Sequence, residues 1–366
     1  MKILQIIDTL NPGGAERMAV NLANAFDGVG VDHKLIVSRR DGGLNKQVKS
    51  QDRLVFLGKK STLDFGAFQK LRKVVAVFRP DVIHAHGTSI YWAVALKYLN
   101  SDFKLIWHDH LGISEEVLKT NPRKELALMS SKIDFIITAD EKTREHWINK
   151  KLKDADLIRY LGNFPQLSII KTPDNEIFTF VHLANYRSEK GHMTLIEAAK
   201  ILSDQKLDFQ VRMVGAAIDS SWKEKVKAKV MKEGLEKFIL VEDASENVDA
   251  LLSEVNAGLV TSDREGLPVA LLEYGLAALP VISTKVGQCP KVLLNGEFGY
   301  LIDPGSSAQL AEAMRDMIGN SEIVKTKAKE FQVHVEKHYG FEQFFKDYNQ
   351  ILKQLNIPVE SVPAHD

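Results

Sequence analysis

The chain has 366 residues, enough for two domains of ordinary size, each with its own core. Apolar residues make up 45% and charged residues 26%, the balance of a soluble globular protein. Lys+Arg and Asp+Glu both number 48, so no global charge draws the chain to nucleic acid, and the single cysteine, Cys289, excludes an internal disulfide and a cysteine-based zinc site.

Apolar strand-like runs alternate with amphipathic helical stretches almost from end to end, the sequence form of βαβ units and a parallel sheet. The first strand is residues 3–7, followed by a loop over 8–14 and a helix over 15–26 with Ala19, Leu22, Ala23 and Phe26 on one face. Further strands are expected at 34–37, 54–57, 81–84, 104–107, 135–138 and 157–160. A break follows in Leu161-Gly162-Asn163-Phe164-Pro165 and the polar stretch Lys171-Thr172-Pro173-Asp174-Asn175-Glu176. A second βα series then has strands at 178–183, 209–214, 238–241, 258–261 and 281–283, with helices at 193–203, 222–233, 248–252, 269–277, 308–318 and 323–338. A last amphipathic helix, 341–355, carries Phe344, Phe345, Tyr348, Ile351 and Leu352, and a loose tail follows Ile357. The expected architecture is α/β, with two doubly wound Rossmann-like domains, 1–168 and 169–340, facing across a cleft, and a terminal segment, 341–366. No stretch approaches the ~18 apolar residues of a membrane span. The opening MKILQIIDTLNPGG has too short an apolar run for a signal peptide, so a cytoplasmic location is expected.

The polar residues gather at the carboxyl ends of the strands. Thr261 to Gly287 reads as strand end, loop, helix and strand, with Gly266, Leu267 and Pro268 opening the helix and Pro268 in its first turn. A helix N-terminus is a seat for phosphate, and the carboxylates Glu265 and Glu273 beside it are placed to accept hydrogen bonds from ribose or sugar hydroxyls. Arg187 and Lys190, between a strand and a helix of the second half, suit a diphosphate. Gly13-Gly14 opens the first helix and either binds an anion or makes a tight turn. His84, His86, His108 and His110 close two neighbouring strands and could orient a substrate or move a proton. No carboxylate cluster with ligand spacing accompanies them, so no metal is expected. The stripe Phe68, Leu71, Val75 and Phe78, beside Lys70, Arg72, Lys73 and Arg79, is either a packed surface helix or a peripheral contact with an anionic membrane. The run Lys223, Lys225, Lys227, Lys229 and Lys232 reads as a solvated helix face.

Together, Gly13-Gly14-Ala15-Glu16, Asp81-Val82-Ile83-His84-Ala85-His86, Arg187 with Lys190-Gly191, and Glu265 with Glu273 resemble the family 4 retaining glycosyltransferases of GT-B fold. The resemblance covers nearly the whole chain in order. It implies transfer of a sugar from a nucleotide-diphosphate-sugar to a saccharide or lipid-linked saccharide, in surface polysaccharide biosynthesis, without a metal or other cofactor. It further implies that Glu273 holds the donor ribose, that Glu265 lies against the transferred sugar, and that Arg187 and Lys190 neutralise the diphosphate with help from Gly14 and the Gly266–Leu267 backbone. A histidine of Trp107-His108-Asp109-His110 would contact the donor sugar, His110 before His108, and the last helix would cross back to the first domain. Two departures stand out: Ala184-Asn185 replaces a common Gly-Arg, and Lys291 stands where many relatives have Glu.

Two other readings compete. A nucleotide-sugar epimerase of GT-B fold would need acid and base groups across the sugar and no acceptor. An inactive partner subunit that binds the sugar nucleotide would draw on Asn185 and Lys291. A Rossmann dehydrogenase is disfavoured, because no G-x-G-x-x-G follows the first strand.

Overall fold

The computed structural model describes residues 1–11, 13–99, 102–110, 125–167, 177–245 and 247–359. The chain forms two compact units, one of Met1–Phe164 with Phe341–Asp366 and one of Pro165–Gly340. The division therefore falls inside the Leu161–Pro165 segment, whereas the polar stretch 171–176 lies outside the described residues.

The first unit holds a seven-stranded sheet in the order β3-β2-β1-β4-β5-β6-β7. Its strands are β1 (Lys2–Thr9), β2 (Asp32–Arg40), β3 (Leu54–Phe56), β4 (Val82–His86), β5 (Lys104–Asp109), β6 (Phe135–Thr138) and β7 (Ile158–Tyr160). All pairings are parallel. Residues 3–7 of β1 and all five of β4 are buried in unbroken runs, as befits strands covered on both faces. The helices among the described residues are α1 (Gly14–Gly28), α2 (Phe65–Phe78), α3 (Ile90–Leu99), α4 (Glu125–Met129) and α5 (Glu141–Asn149).

The first helix packs one face of the sheet. On that same face Phe344, Phe345, Tyr348, Ile351 and Leu352 of the last helix cluster with Ile3, Met18, Leu22, Phe26, Val82, Ile106 and Phe135. The apolar stripe of α2 turns inward: Leu71, Val75 and Phe78 are buried, and Phe68 stands edge-on to Trp92 at 5.5 Å. That face is used by the core of its own unit.

The second unit repeats the winding with six parallel strands in the order β10-β9-β8-β11-β12-β13. They are β8 (Thr179–Leu183), β9 (Gln210–Val214), β10 (Ile239–Glu242), β11 (Ala257–Val260), β12 (Val281–Thr284) and β13 (Tyr300–Ile302). Between and after them run α6 (His192–Asp204), α7 (Ser220–Lys232), α8 (Val248–Ser253), α9 (Val269–Leu276), α10 (Cys289–Val292), α11 (Ser307–Gly319) and α12 (Ser321–Tyr339), and α13 (Phe341–Gln354) completes the first unit. The short edge strand β13 carries too brief a pattern to stand out in the sequence. Lys223 departs from the solvated lysine face: it is buried over the Tyr186 ring, 5.1 Å from its centroid, and bonded to Asp243.

In each sheet the strand order reverses once, between β1 and β4 and between β8 and β11. Loops at the carboxyl ends of such neighbouring strands diverge and leave a crevice, the usual ligand position in open α/β sheets.

Candidate active site

In the second unit the loops after β8 and β11 meet at the reversal. Lys190 Nζ donates to Glu265 Oε1 at 2.6 Å, and Ser262 Oγ donates to the same oxygen at 2.6 Å. Glu265 is mostly shielded from solvent and Lys190 about three-quarters so, which strengthens their attraction relative to an open surface pair. Thr261 Oγ1 donates to the Lys190 carbonyl at 3.0 Å, and Asp263 N–H donates to the Glu189 carbonyl at 2.8 Å, so the two loops are stitched through their backbones. Gly191 makes this contact possible. Its φ is +72°, and a Cβ there would lie 1.8 Å from the Thr261 carbonyl oxygen. Gly287, at φ +51°, closes the other side: its Cβ would meet the Glu265 and Gly266 carbonyls at 2.3 and 2.4 Å, while Gln288 N–H donates to the Gly266 carbonyl.

Helix ends sort into two kinds. Asp64, Asp140, Asp219, Asn247 and Ser306 cap their helices by accepting a first-turn N–H, each a local stabilisation of about 1 kcal/mol. The helices that follow the site strands lack this: Gly191 begins α6, Pro268 begins α9 and Gly13 begins α1, all without a side-chain cap. Uncapped N–H groups and the helix dipole favour an anion. Pro268 is the cap position itself, with extended backbone, rather than a first-turn residue, and the helix proper starts at Val269. Leu267 is half-buried and Gly266 exposed in the turn before it. Glu273, within α9, is buried. Arg187 is exposed, and among the described residues no carboxylate pairs with it.

At the reversal in the first unit, α1 is occupied by its own acid. The Glu16 carboxylate folds back so closely that a Cβ on Gly13 would meet Glu16 Oε2 at 2.4 Å, and burial pushes its pKa up. Gly14 has open space where a side chain would project.

The four histidines run from the middle of β4 to just past the end of β5. His84 and His86 are the third and fifth residues of β4, and His108 is the fifth of β5, all buried. Only His110 lies beyond its strand and keeps some exposure. This separates the pair His108 and His110: His108 is an interior ring, and His110 is the one at the sheet's edge. His84 Nε2 is 3.2 Å from His108 Nδ1 and His84 Nδ1 is 3.1 Å from the Tyr348 hydroxyl. His86 Nδ1 is 3.0 Å from His110 Nε2, and His86 Nε2 is 2.9 Å from Gln5 Oε1. Burial holds all four rings far below the usual imidazole range, His84 and His110 to about 3, with their mutual repulsion a lesser cause for three of them. His84, His86 and His108 each offer an atom within 4.8 Å of the others, a spacing that could gather an ion, but hydrogen bonds to one another, His110, Tyr348 and Gln5 already occupy all of their nitrogens except His108 Nε2 among the described residues.

Sequence reading missed three participants. Gln5 and Tyr348 are distant in the chain and carry no motif. Asp8, near the end of β1, accepts from Ser38 and Thr88 and attracts Lys59 and Arg39, each at 3.7 Å, tying the carboxyl ends of β1 and β2 to the loops after β3 and β4. An aspartate and glycines in a βα loop signal a turn as readily as a site, so only the fold reveals the cluster.

Two family models match the chain in succession. Residues 12–164 match "Glycosyltransferase Family 4" and residues 166–331 match "Glycosyl transferases group 1". The chain belongs to the family 4 glycosyltransferases. A Haemophilus influenzae protein described as an uncharacterized glycosyltransferase is 23% identical over 95% of this glycosyltransferase and 98% of its own length. A putative colanic acid biosynthesis glycosyltransferase, WcaL of Salmonella typhimurium, is 29% identical over 41% of this chain and 39% of its own. The solved structure of Anabaena HepE in complex with UDP and glucose superposes with a TM-score of 0.80 at 18% identity, covering 97% of this chain and all of that one. The glycosyltransferase thus has the GT-B fold, two Rossmann-like units of seven and six parallel strands. Of its two departures from family pattern, Asn185 has a local role, its Oδ1 accepting from Ala216 N–H at 3.1 Å, and Lys291 is exposed on α10. Among the described residues no helix is long and apolar enough to cross a membrane.

Proposed function

We propose that this glycosyltransferase is a retaining, metal-independent enzyme that moves a sugar from a nucleotide-diphosphate-sugar to a saccharide or lipid-linked saccharide acceptor in surface polysaccharide biosynthesis. The observation that carries the reading is the Lys190–Glu265 pair between the uncapped N-termini of α6 and α9. A cation and two helix starts at a strand reversal suit a diphosphate, and a carboxylate beside them suits sugar hydroxyls. UDP and glucose in the HepE complex, and the description of WcaL, support the donor class and the polysaccharide setting.

The chemistry is substitution at the anomeric carbon, with negative charge growing on the departing diphosphate. Lys190 and Arg187 stabilise that charge more in the transition state than in the ground state, the condition for catalysis. In the ligand-free protein Lys190 is neutralised by Glu265, and arrival of the diphosphate gives it a second anionic partner. Glu265 then serves the transferred sugar and Glu273 the ribose. His110 is assigned to a hydroxyl of the donor sugar. The leaving diphosphate itself accepts the proton of the incoming hydroxyl on the front face, which preserves the anomeric configuration. Protein cations do the neutralising work that a divalent ion performs elsewhere, so chelator leaves the activity intact. Release of nucleoside diphosphate from a panel of nucleotide-sugars, with candidate acceptors and EDTA present, tests the proposal. Release from one donor that depends on both Lys190 and an acceptor supports it; activity that appears only with added divalent metal overturns the metal-independent part.

A further inference from the structure

His110 can act on a substrate in opposite ways, donating or accepting a hydrogen bond, and the interior of the sheet chooses between them. Gln5 lies on β1 in register with His84 of β4 and is fully buried. The rings of His86 and His110 stack with centroids 5.2 Å apart, joined Nδ1 to Nε2 at 3.0 Å. Burial keeps both rings neutral, so each has one N–H and one lone pair. The Gln5 Oε1 atom can only accept, which requires the proton of His86 to sit on Nε2, 2.9 Å away. His86 Nδ1 then holds a lone pair and receives Nε2–H of His110. What remains on His110 is Nδ1 with a lone pair, and this buried atom has no hydrogen-bond partner among the described residues.

The neighbouring column has no such polarity. Tyr348 can donate to His84 or accept from it, so His84 and His108 can carry their protons either way round. The Gln5 column instead ends on an acceptor, Oε1, with the amide's own Nε2 left without a partner among the described residues.

We propose that Gln5 is a positioning residue that, through His86, holds His110 as its Nε2–H tautomer, so that Nδ1 accepts a hydrogen bond from a substrate hydroxyl. The inference rests on the donor-sugar role given to His110 above and refines it. A lone pair at Nδ1 repels phosphate oxygens and attracts an O–H, so the group it serves is a sugar hydroxyl and not the diphosphate. The amide of Gln5 turned over would reverse every proton in the column and leave His110 a donor at Nδ1.

The test is long-range 1H–15N correlation on full-length protein labelled with 15N-histidine, at neutral pH. The His110 signals are identified by their loss in His110→Gln. The expected result is a protonated Nε2 and an unprotonated Nδ1 on both His86 and His110. In Gln5→Met, which keeps the volume but has no carbonyl, His110 should become a mixture of tautomers, and donor kcat/KM should fall about tenfold, the worth of one hydrogen bond. An Nδ1–H tautomer of His110 in the unaltered protein overturns the proposal without needing any variant to fold. So does an unchanged tautomer in folded Gln5→Met. A changed tautomer with unchanged kcat/KM overturns the hydroxyl contact and the role of His110 beneath it, while leaving glycosyl transfer itself standing.

Discussion

Acidification from pH 7.5 to 5.5 should unfold the first unit far more readily than its carboxylates alone would allow. His84, His86 and His108 are fully interior, and burial holds all three well below the usual imidazole range. In the unfolded chain the same rings titrate near ~6.5. Between the two values the unfolded state binds more protons than the folded one, so stability rises with pH and is lost as pH falls from the ordinary imidazole range toward about 3, the value for His84. At pH 5.5 protonation favours each unfolded ring by about 1.4 kcal/mol, and at pH 7.5 by almost nothing. Three rings together cost about 4 kcal/mol, a large part of the ~5–15 kcal/mol that holds a typical domain. Glu16, with its pKa raised, contributes in the opposite sense, since its stabilising share is lost as pH rises. Urea unfolding at both pH values in a Trp222→Phe background, which leaves only Trp92, Trp107 and Trp147 of the first unit to fluoresce, measures the difference. His84→Gln should lessen the loss by about one ring's share. Equal unfolding free energies at the two pH values, or an unchanged pH difference in the variant, would refute the reasoning.

Other expectations concern single contacts. Lys190→Ala should lower kcat by about 100- to 1,000-fold, as loss of a transition-state charge partner does, while circular dichroism and the unfolding midpoint show the fold retained. Gly191→Ala forces a Cβ against the Thr261 carbonyl at a left-handed backbone position; a loss of more than about 3 kcal/mol in unfolding free energy, or failure to accumulate folded protein, is expected. Phe345→Ala on α13 should cost about 3–5 kcal/mol in the first unit, measured by the same urea titration. Tyr348→Phe, which removes only the hydroxyl beside His84, should cost about 1 kcal/mol.

The alternation of strands and helices was legible because buried parallel strands read as short apolar runs. Thus residues 3–7 of β1 and all of β4 are covered on both faces. The site loops were legible where chemistry and position coincide, as at Lys190 and Glu265, which the fold brings into direct contact. Depth along a strand was not legible. The pattern ended β4 at His84, but the sheet continues to His86, so residues expected at a rim became interior rings. A period-2 pattern cannot show this when both faces are buried and a neutral histidine packs like an apolar side chain. Gln5 and Tyr348 were out of reach for a different reason: their roles exist only through partners 81 and 264 residues away in sequence.

Calorimetric binding of nucleoside diphosphates in EDTA, to the unaltered protein and to Lys190→Ala, probes the proposed diphosphate seat most directly. One diphosphate should bind without metal, and its affinity should fall at least tenfold in the variant, about 1.4 kcal/mol or more of lost charge pairing. No binding by any diphosphate, or equal affinity in folded Lys190→Ala, would contradict the placement of the leaving group between α6 and α9.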